Sequence, residues 1–218
     1  MKKIKGFSTN AIHVGQEPDP INGAVIPPIY LTTNYAQKYP GELPLGYLDY
    51  TRAYNPNFTN LEATLASLEK AKHSVIFSSG LGAASALIST LKPGDHILAM
   101  DDMYGGSYRL MNQIFAKFGI SFELVDMQKL EKVEEALKKT KTQMLFFETP
   151  TNPFLKVVDI EAIAKLSKKY KAKTVVDNTF ASPYLQNPLE LGADAVLHSC
   201  TKYIGGHSDV VGGVIMTN

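Results

Sequence analysis

The run Ser199-Cys200-Thr201-Lys202 places an amine beside two hydroxyls and a thiol, with Gly205 and Gly206 just beyond. A lysine in a tight, ligand-facing loop can attack a carbonyl and hold it covalently. It can equally be one more surface lysine, because Arg52 and Arg109 are the only arginines and lysine carries the rest of the basic charge. Asp177 closes the apolar run Thr174-Val175-Val176. A carboxylate there can pair with a ligand cation or a protonated ring nitrogen, or it can cap a turn. Ser78-Ser79-Gly80-Leu81-Gly82 leads from a strand-like run into a helix-like one. Unpaired N–H groups and the helix dipole make such a start a phosphate site, and small residues there also suit close helix packing. The glycines match neither the dinucleotide fingerprint nor the nucleotide-triphosphate loop.

Other chemistries find less support. His13, His73, His96, His198 and His207 are scattered and form no HExxH or comparable ligand spacing, so they read as structural residues. Ser78 and Ser79 lack the GxSxG context of a hydrolase nucleophile. Cys200 is the single cysteine, which excludes an intrachain disulfide framework and a Cys-rich zinc site; its default is a small buried residue.

The candidate residues need a scaffold, and the hydrophobic pattern supplies one. Strands are predicted at 74–78, 96–100, 122–125, 144–147, 174–176, 195–197 and 210–216. Helical spacing appears at Leu61, Leu65 and Leu68 with Thr59 or Asn60 as the cap, then from Gly80 to Leu91, Tyr108 to Phe118, Leu130 to Leu137 and Ile160 to Lys169. Strands alternating with helices predict an α/β fold, a mainly parallel sheet with helices on both faces. Ligands of such sheets bind outside the C-terminal strand ends. Polar residues gather there: Ser78 to Gly80, Asp101, Asp102 and Tyr104, Glu148 to Asn152, Asp177 to Thr179, and Ser199 to Lys202.

Residues 1–58 read as an N-terminal arm and residues 59–218 as a large domain. The arm is dense in proline (Pro18, Pro20, Pro27, Pro28, Pro40, Pro44, Pro56) yet rich in aliphatic and tyrosine side chains. Prolines this close interrupt helices and central strands. So much apolar surface exceeds what a solvated linker needs; the arm packs either on its own domain or on a neighbouring subunit.

With 22 basic against 21 acidic residues, the chain carries no polybasic face for nucleic acid or membrane. No apolar run reaches the roughly 18 residues of a membrane span, and the Met-Lys-Lys start lacks a signal-peptide core. The expected setting is the cytoplasm.

Taken together, the motifs resemble one family along nearly the whole chain. They are AIHVGQ from Ala11, GAVIPPIYLTT from Gly23, YTRAYNP from Tyr50, SSGLGA from Ser78, DDMYGGSYR from Asp101, ETPTNP from Glu148, VDNTFASPYLQ from Val176 and, most specific, SCTKYIGGHSDVVGG from Ser199. The sequence is similar to the pyridoxal-phosphate-dependent enzymes of cysteine and methionine metabolism, the trans-sulfuration enzymes. The resemblance implies fold type I, the aspartate-aminotransferase-like fold. It makes Lys202 the lysine that holds pyridoxal 5'-phosphate and moves protons. Asp177 becomes the partner of the pyridine nitrogen, and Tyr104 the ring stacked on the cofactor and a proton partner. The Gly80 and Leu81 N–H groups with the Ser199 and Thr201 hydroxyls become the phosphate cup, and Asn152 lies near the ring oxygen. Tyr50 and Arg52 reach the cofactor of a neighbouring subunit, which implies a homodimer or homotetramer.

The implied reaction is γ-elimination of cystathionine to cysteine, 2-oxobutanoate and ammonia. The alternatives are γ-replacement of an O-acylhomoserine by cysteine, or a non-catalytic fragment of such an enzyme. The substrates are small amino acids, with no metal, nucleic acid or membrane involved. Family members continue into a C-terminal small domain that is absent here, so the chain reads as C-terminally truncated. Leu81 stands where methionine is common and Ser107 where threonine is. Gly106 stands where methionine γ-lyases have cysteine, which counts against that activity.

Overall fold

The structure, a computed structural model, describes residues 6–218. They fall into two units, divided between Leu68 and Glu69.

In the first unit, helix α1 spans Phe7–His13 and helix α2 begins there at Pro56, running Pro56–Glu69. The expected cap at Thr59 or Asn60 is displaced to Asn55. Its Oδ1 accepts the Asn57 N–H at 2.9 Å, and its amide nitrogen lies 3.2 Å from the Thr51 hydroxyl oxygen. Proline at the first helical position loses no hydrogen bond that the helix could have made, so Pro56 starts this helix. The Thr64 hydroxyl donates to the Val14 carbonyl at 2.6 Å and fastens the chain after α1 to α2. Between the helices, an isolated bridge pairs Asn34 with Tyr50. Ile21, Val25, Ile26, Ile29 and Leu31 are exposed.

The second unit is built on seven strands: β1 (His73–Phe77), β2 (His96–Met100), β3 (Ser121–Val125), β4 (Met144–Glu148), β5 (Lys173–Asp177), β6 (Ala195–Ser199) and β7 (Gly213–Thr217). Their order is β1-β7-β6-β5-β4-β2-β3, and only β7 runs against its neighbours. The mainly parallel sheet predicted from sequence is present. The last strand starts at Gly213 rather than at residue 210, because its two neighbours end at Phe77 and Ser199, the residues that pair with Gly213.

Helices cover both faces. On one, α5 (Leu130–Lys139) and α6 (Ile160–Lys169) bring Val133, Leu137, Ile160 and Ile163 against Leu98, Met100, Leu145 and Phe147. On the other, α3 (Gly80–Ile88) brings Ala83, Ala84 and Ile88 against Ile97, Ala99, Phe146 and Leu197. The alternation within β2 is the expected consequence of side chains pointing to opposite faces of a sheet buried on both sides. Asp159 caps α6 by accepting the Ala162 N–H at 2.9 Å. The single helix predicted over Tyr108 to Phe118 is instead a short α4 (Gly105–Arg109), a wider π turn through Leu110–Ile114 and a tight 3-10 turn at Phe115–Phe118. The changes of winding keep Met111 and Phe115 buried in the core.

Candidate active site

Because β1, β2, β4, β5 and β6 run in one direction, their C-terminal ends share one edge of the sheet. Ser79, Tyr104, Glu148, Asp177, Ser199 and Lys202 therefore come together on one rim although 123 positions separate the first from the last. Register fixes the centre: Glu148 pairs with Asp177, and Asp177 with Leu197.

At one side of the rim α3 starts against the end of β6. The Ser79 side chain accepts the Gly82 N–H at 3.0 Å. The first turn of a helix leaves its N–H groups without intrahelical partners, so with Gly82 satisfied the donors left at this end are those of Gly80 and Leu81. A Cβ on Gly80 would lie 2.7 Å from Ser199 Cβ and 3.0 Å from its hydroxyl oxygen. Glycine is what lets the helix start and Ser199 close on the same small space. The Thr201 hydroxyl is engaged with Gly212, donating to its carbonyl at 3.2 Å and accepting its N–H at 3.1 Å. Thr201 thus also pins the loop that carries Lys202. Lys202 is exposed, its N–H donating to Ser199 O at 3.1 Å.

Asp177 sits at the end of β5. Burial pushes its carboxyl upward from the ordinary aspartate range, while hydrogen bonds from Thr179 and the nearby His198 pull it back. Behind it, Asn178, Glu69 and His198 are fully buried. Glu69 approaches the His198 ring nitrogen Nε2 at 2.8 Å, and the Asn178 amide donates to Glu69 at 3.3 Å and to the Gln186 carbonyl at 2.8 Å. His198 is therefore structural, as expected, though its Nδ1 has no partner among the described residues.

Tyr104 caps α4 and is about half exposed; its N–H donates to the Glu148 carboxylate. Asn152 lies in the loop after β4, exposed on the same rim. Tyr50 and Arg52 belong to the first unit. There they pair with each other, the guanidinium 5.1 Å from the ring centre.

The chemistry of this set suits an anionic, aromatic carbonyl compound. It offers a helix start and the Ser199 hydroxyl for a phosphate, a half-buried carboxylate for a protonated ring nitrogen, an aromatic ring for stacking and an accessible amine. The model of the Cys/Met metabolism PLP-dependent enzyme family matches residues 8–218. The chain belongs to this family. Its cofactor is pyridoxal phosphate, and the residues present on the rim fit that group. When bound, pyridoxal phosphate supplies an electron sink.

Relatives and solved structures agree. A probable cystathionine gamma-synthase of Herpetosiphon aurantiacus is 53% identical over 98% of this chain and 66% of its own length. The structure of metB from Corynebacterium glutamicum superposes with a TM-score of 0.95 at 54% identity, covering 98% of this chain and 55% of that one. Cystathionine gamma-lyase from Lactobacillus plantarum, complexed with L-serine, gives 0.93 at 42% identity with coverages of 98% and 55%. Proteins named cystathionine beta-lyase are among the further family relatives. The chain spans between about half and two-thirds of the length of these family members.

Sequence reasoning placed Asp102, Glu148, Asn178 and Thr179 on the rim without giving them a role, and it missed Glu69. Glu148 had a signal, a charged residue ending an apolar strand. Glu69 had none: it lies at the end of a surface-patterned helix, and its buried partners are far away in sequence.

Proposed function

We propose that this chain forms the pyridoxal-phosphate-binding part of an enzyme that acts at the γ carbon of cystathionine or of an O-acylhomoserine. The observation carrying the reading is the convergence of Lys202, Asp177 and the Gly80–Ser199 cradle on one rim. In this reading the Gly80 and Leu81 N–H groups, with Ser199 and Thr201, hold the phosphate. Asp177 holds the ring nitrogen protonated, Tyr104 stacks on the ring, and Asn152 lies near the ring oxygen. Lys202 carries the cofactor and then takes and returns protons at the α and β carbons of the substrate.

Two outcomes share these residues. A γ-lyase converts cystathionine and water to cysteine, 2-oxobutanoate and ammonia, as the motifs first suggest. A γ-synthase joins cysteine to an O-acylhomoserine and releases the carboxylic acid, a reading favoured by the name of the 53% identical relative. The exposed arm carrying Tyr50 and Arg52 supports a homodimer or homotetramer in which a neighbouring arm completes each site. Incubation with pyridoxal phosphate and each substrate set, followed by mass spectrometry of the products, tests the reading. Formation of 2-oxobutanoate assigns the lyase and formation of cystathionine the synthase; neither product from cofactor-loaded protein contradicts both.

A further inference from the structure

The loop after β2 and the loop after β4 exchange carboxylates. Glu148, at the end of β4, accepts the backbone N–H of Tyr104 from the β2 loop and is also stabilised by the Asn152 N–H. Asp102, in the β2 loop, accepts the Thr151 hydroxyl and the Phe154 N–H (3.2 Å) from the β4 loop. Both acids are buried, at 8% and 6% exposure. A second link, Lys156 to Asp101 at 2.8 Å, is exposed and of the kind that adds little.

Burying two acids side by side is costly. Apolar residues could join the loops more cheaply, so the placement calls for a reason. The backbone position Glu148 grips belongs to Tyr104, and the loop Asp102 grips at Thr151 and Phe154 carries Asn152, both read above as contacts of the cofactor ring. We propose that Glu148 is a positioning residue that sets Tyr104 against the ring, with Asp102 locking the loop that carries Asn152 in return. The proposal rests on the pyridoxal-phosphate reading of this rim.

The electrostatics agree. The titratable groups facing Glu148 are Asp177 from β5 and Asp102 from the β2 loop, with His198 of β6 acting on Asp177. Burial first, then Asp177, pushes Glu148 up to about 8. The strength of its hold on the Tyr104 N–H therefore changes within an accessible pH range.

The test uses the 218-residue chain, labelled with nitrogen-15, and follows the Tyr104 amide resonance from pH 6 to 10 without cofactor. A titration with its midpoint near 8, abolished in Glu148→Gln, is expected; a Tyr104 amide that titrates identically in Glu148→Gln overturns the clamp. Pyridoxal phosphate is then added, and the visible circular dichroism of the bound cofactor reports ring orientation. Glu148→Gln, which keeps an acceptor oxygen, should bind within about threefold of the parent with the same band. Glu148→Ala should bind about tenfold more weakly with an altered band. An unaltered band and affinity in a folded Glu148→Ala chain contradict the positioning role. If the parent chain itself fails to bind pyridoxal phosphate, the cofactor reading falls, and the amide titration still decides the clamp.

Discussion

Thr179 donates both its backbone N–H and its hydroxyl to Oδ1 of Asp177, at 3.0 and 2.6 Å, and its hydroxyl oxygen accepts the Ser199 N–H at 2.8 Å. One small side chain thus couples the carboxylate at the end of β5 to the hydroxyl residue at the end of β6. The two donors favour the ionised carboxylate, against a larger burial effect that pushes the group above the ordinary aspartate range. Hydrogen bonds to a charged group contribute about 1.5–3 kcal/mol each.

The first prediction concerns that coupling. Thr179→Val removes the hydroxyl donor and strands the Ser199 N–H, so pyridoxal phosphate should bind about tenfold more weakly. Thr179→Ser should recover most of the affinity. Equal affinities for Val, Ser and Thr in a fluorescence titration contradict the coupling.

Stability should fall as pH rises. Glu148 has an ordinary value of 4.5 in the unfolded chain and about 8 in the fold. Between these values the folded state binds more proton than the unfolded state, so the unfolding free energy declines with rising pH across that window. At about 1.4 kcal/mol per unit the decline is on the order of a few kcal/mol. Glu148→Gln should flatten most of it in urea titrations at pH 5, 7 and 9. Parallel declines in parent and variant contradict the assignment.

Gly80 makes a steric prediction. An added Cβ would stand 2.7 Å from Ser199 Cβ, a contact that forces the helix start away from β6. Overpacking of this kind costs about 1–3 kcal/mol. Gly80→Ala should leave the circular dichroism of the fold in place, and isothermal titration should show at least tenfold weaker pyridoxal phosphate binding. Unchanged binding removes the cradle from the account.

The arm makes a prediction about association. If Arg52 of one copy serves the site of another, pyridoxal phosphate affinity should rise with protein concentration. Arg52→Ala should abolish that dependence and weaken binding about tenfold at high concentration, as loss of a charge-assisted contact does. Affinity independent of protein concentration in the parent chain contradicts a shared site.

The sheet was legible because its strands are short apolar runs bounded by glycine, proline and polar residues, and the rim followed from their shared direction. Asp177 and Lys202 stood out because each ends or follows a strand. Helix α2 began earlier than expected because Pro56 was counted among residues that block helices, although at a first position it initiates one. The segment from Gly105 to Phe118 changes winding twice to keep Met111 and Phe115 in the core, and no local pattern encodes that. Glu148 is a lone strand-terminal acid in sequence. Only the neighbouring strands show that it lies against Asp177 and grips Tyr104. The buried Glu69–His198 pair joins residues 129 positions apart, beyond any local signal.

The central claim is that Lys202 carries pyridoxal phosphate on this rim, and one measurement tests it most directly. The chain is incubated with pyridoxal phosphate, reduced with borohydride and digested, and the pyridoxyl-lysine is located by peptide mass spectrometry. The account predicts stoichiometric modification of the peptide containing Lys202, lost in Lys202→Ala and reduced in Asp177→Ala. Stoichiometric modification of a different lysine, with Lys202 left unmodified, would contradict it.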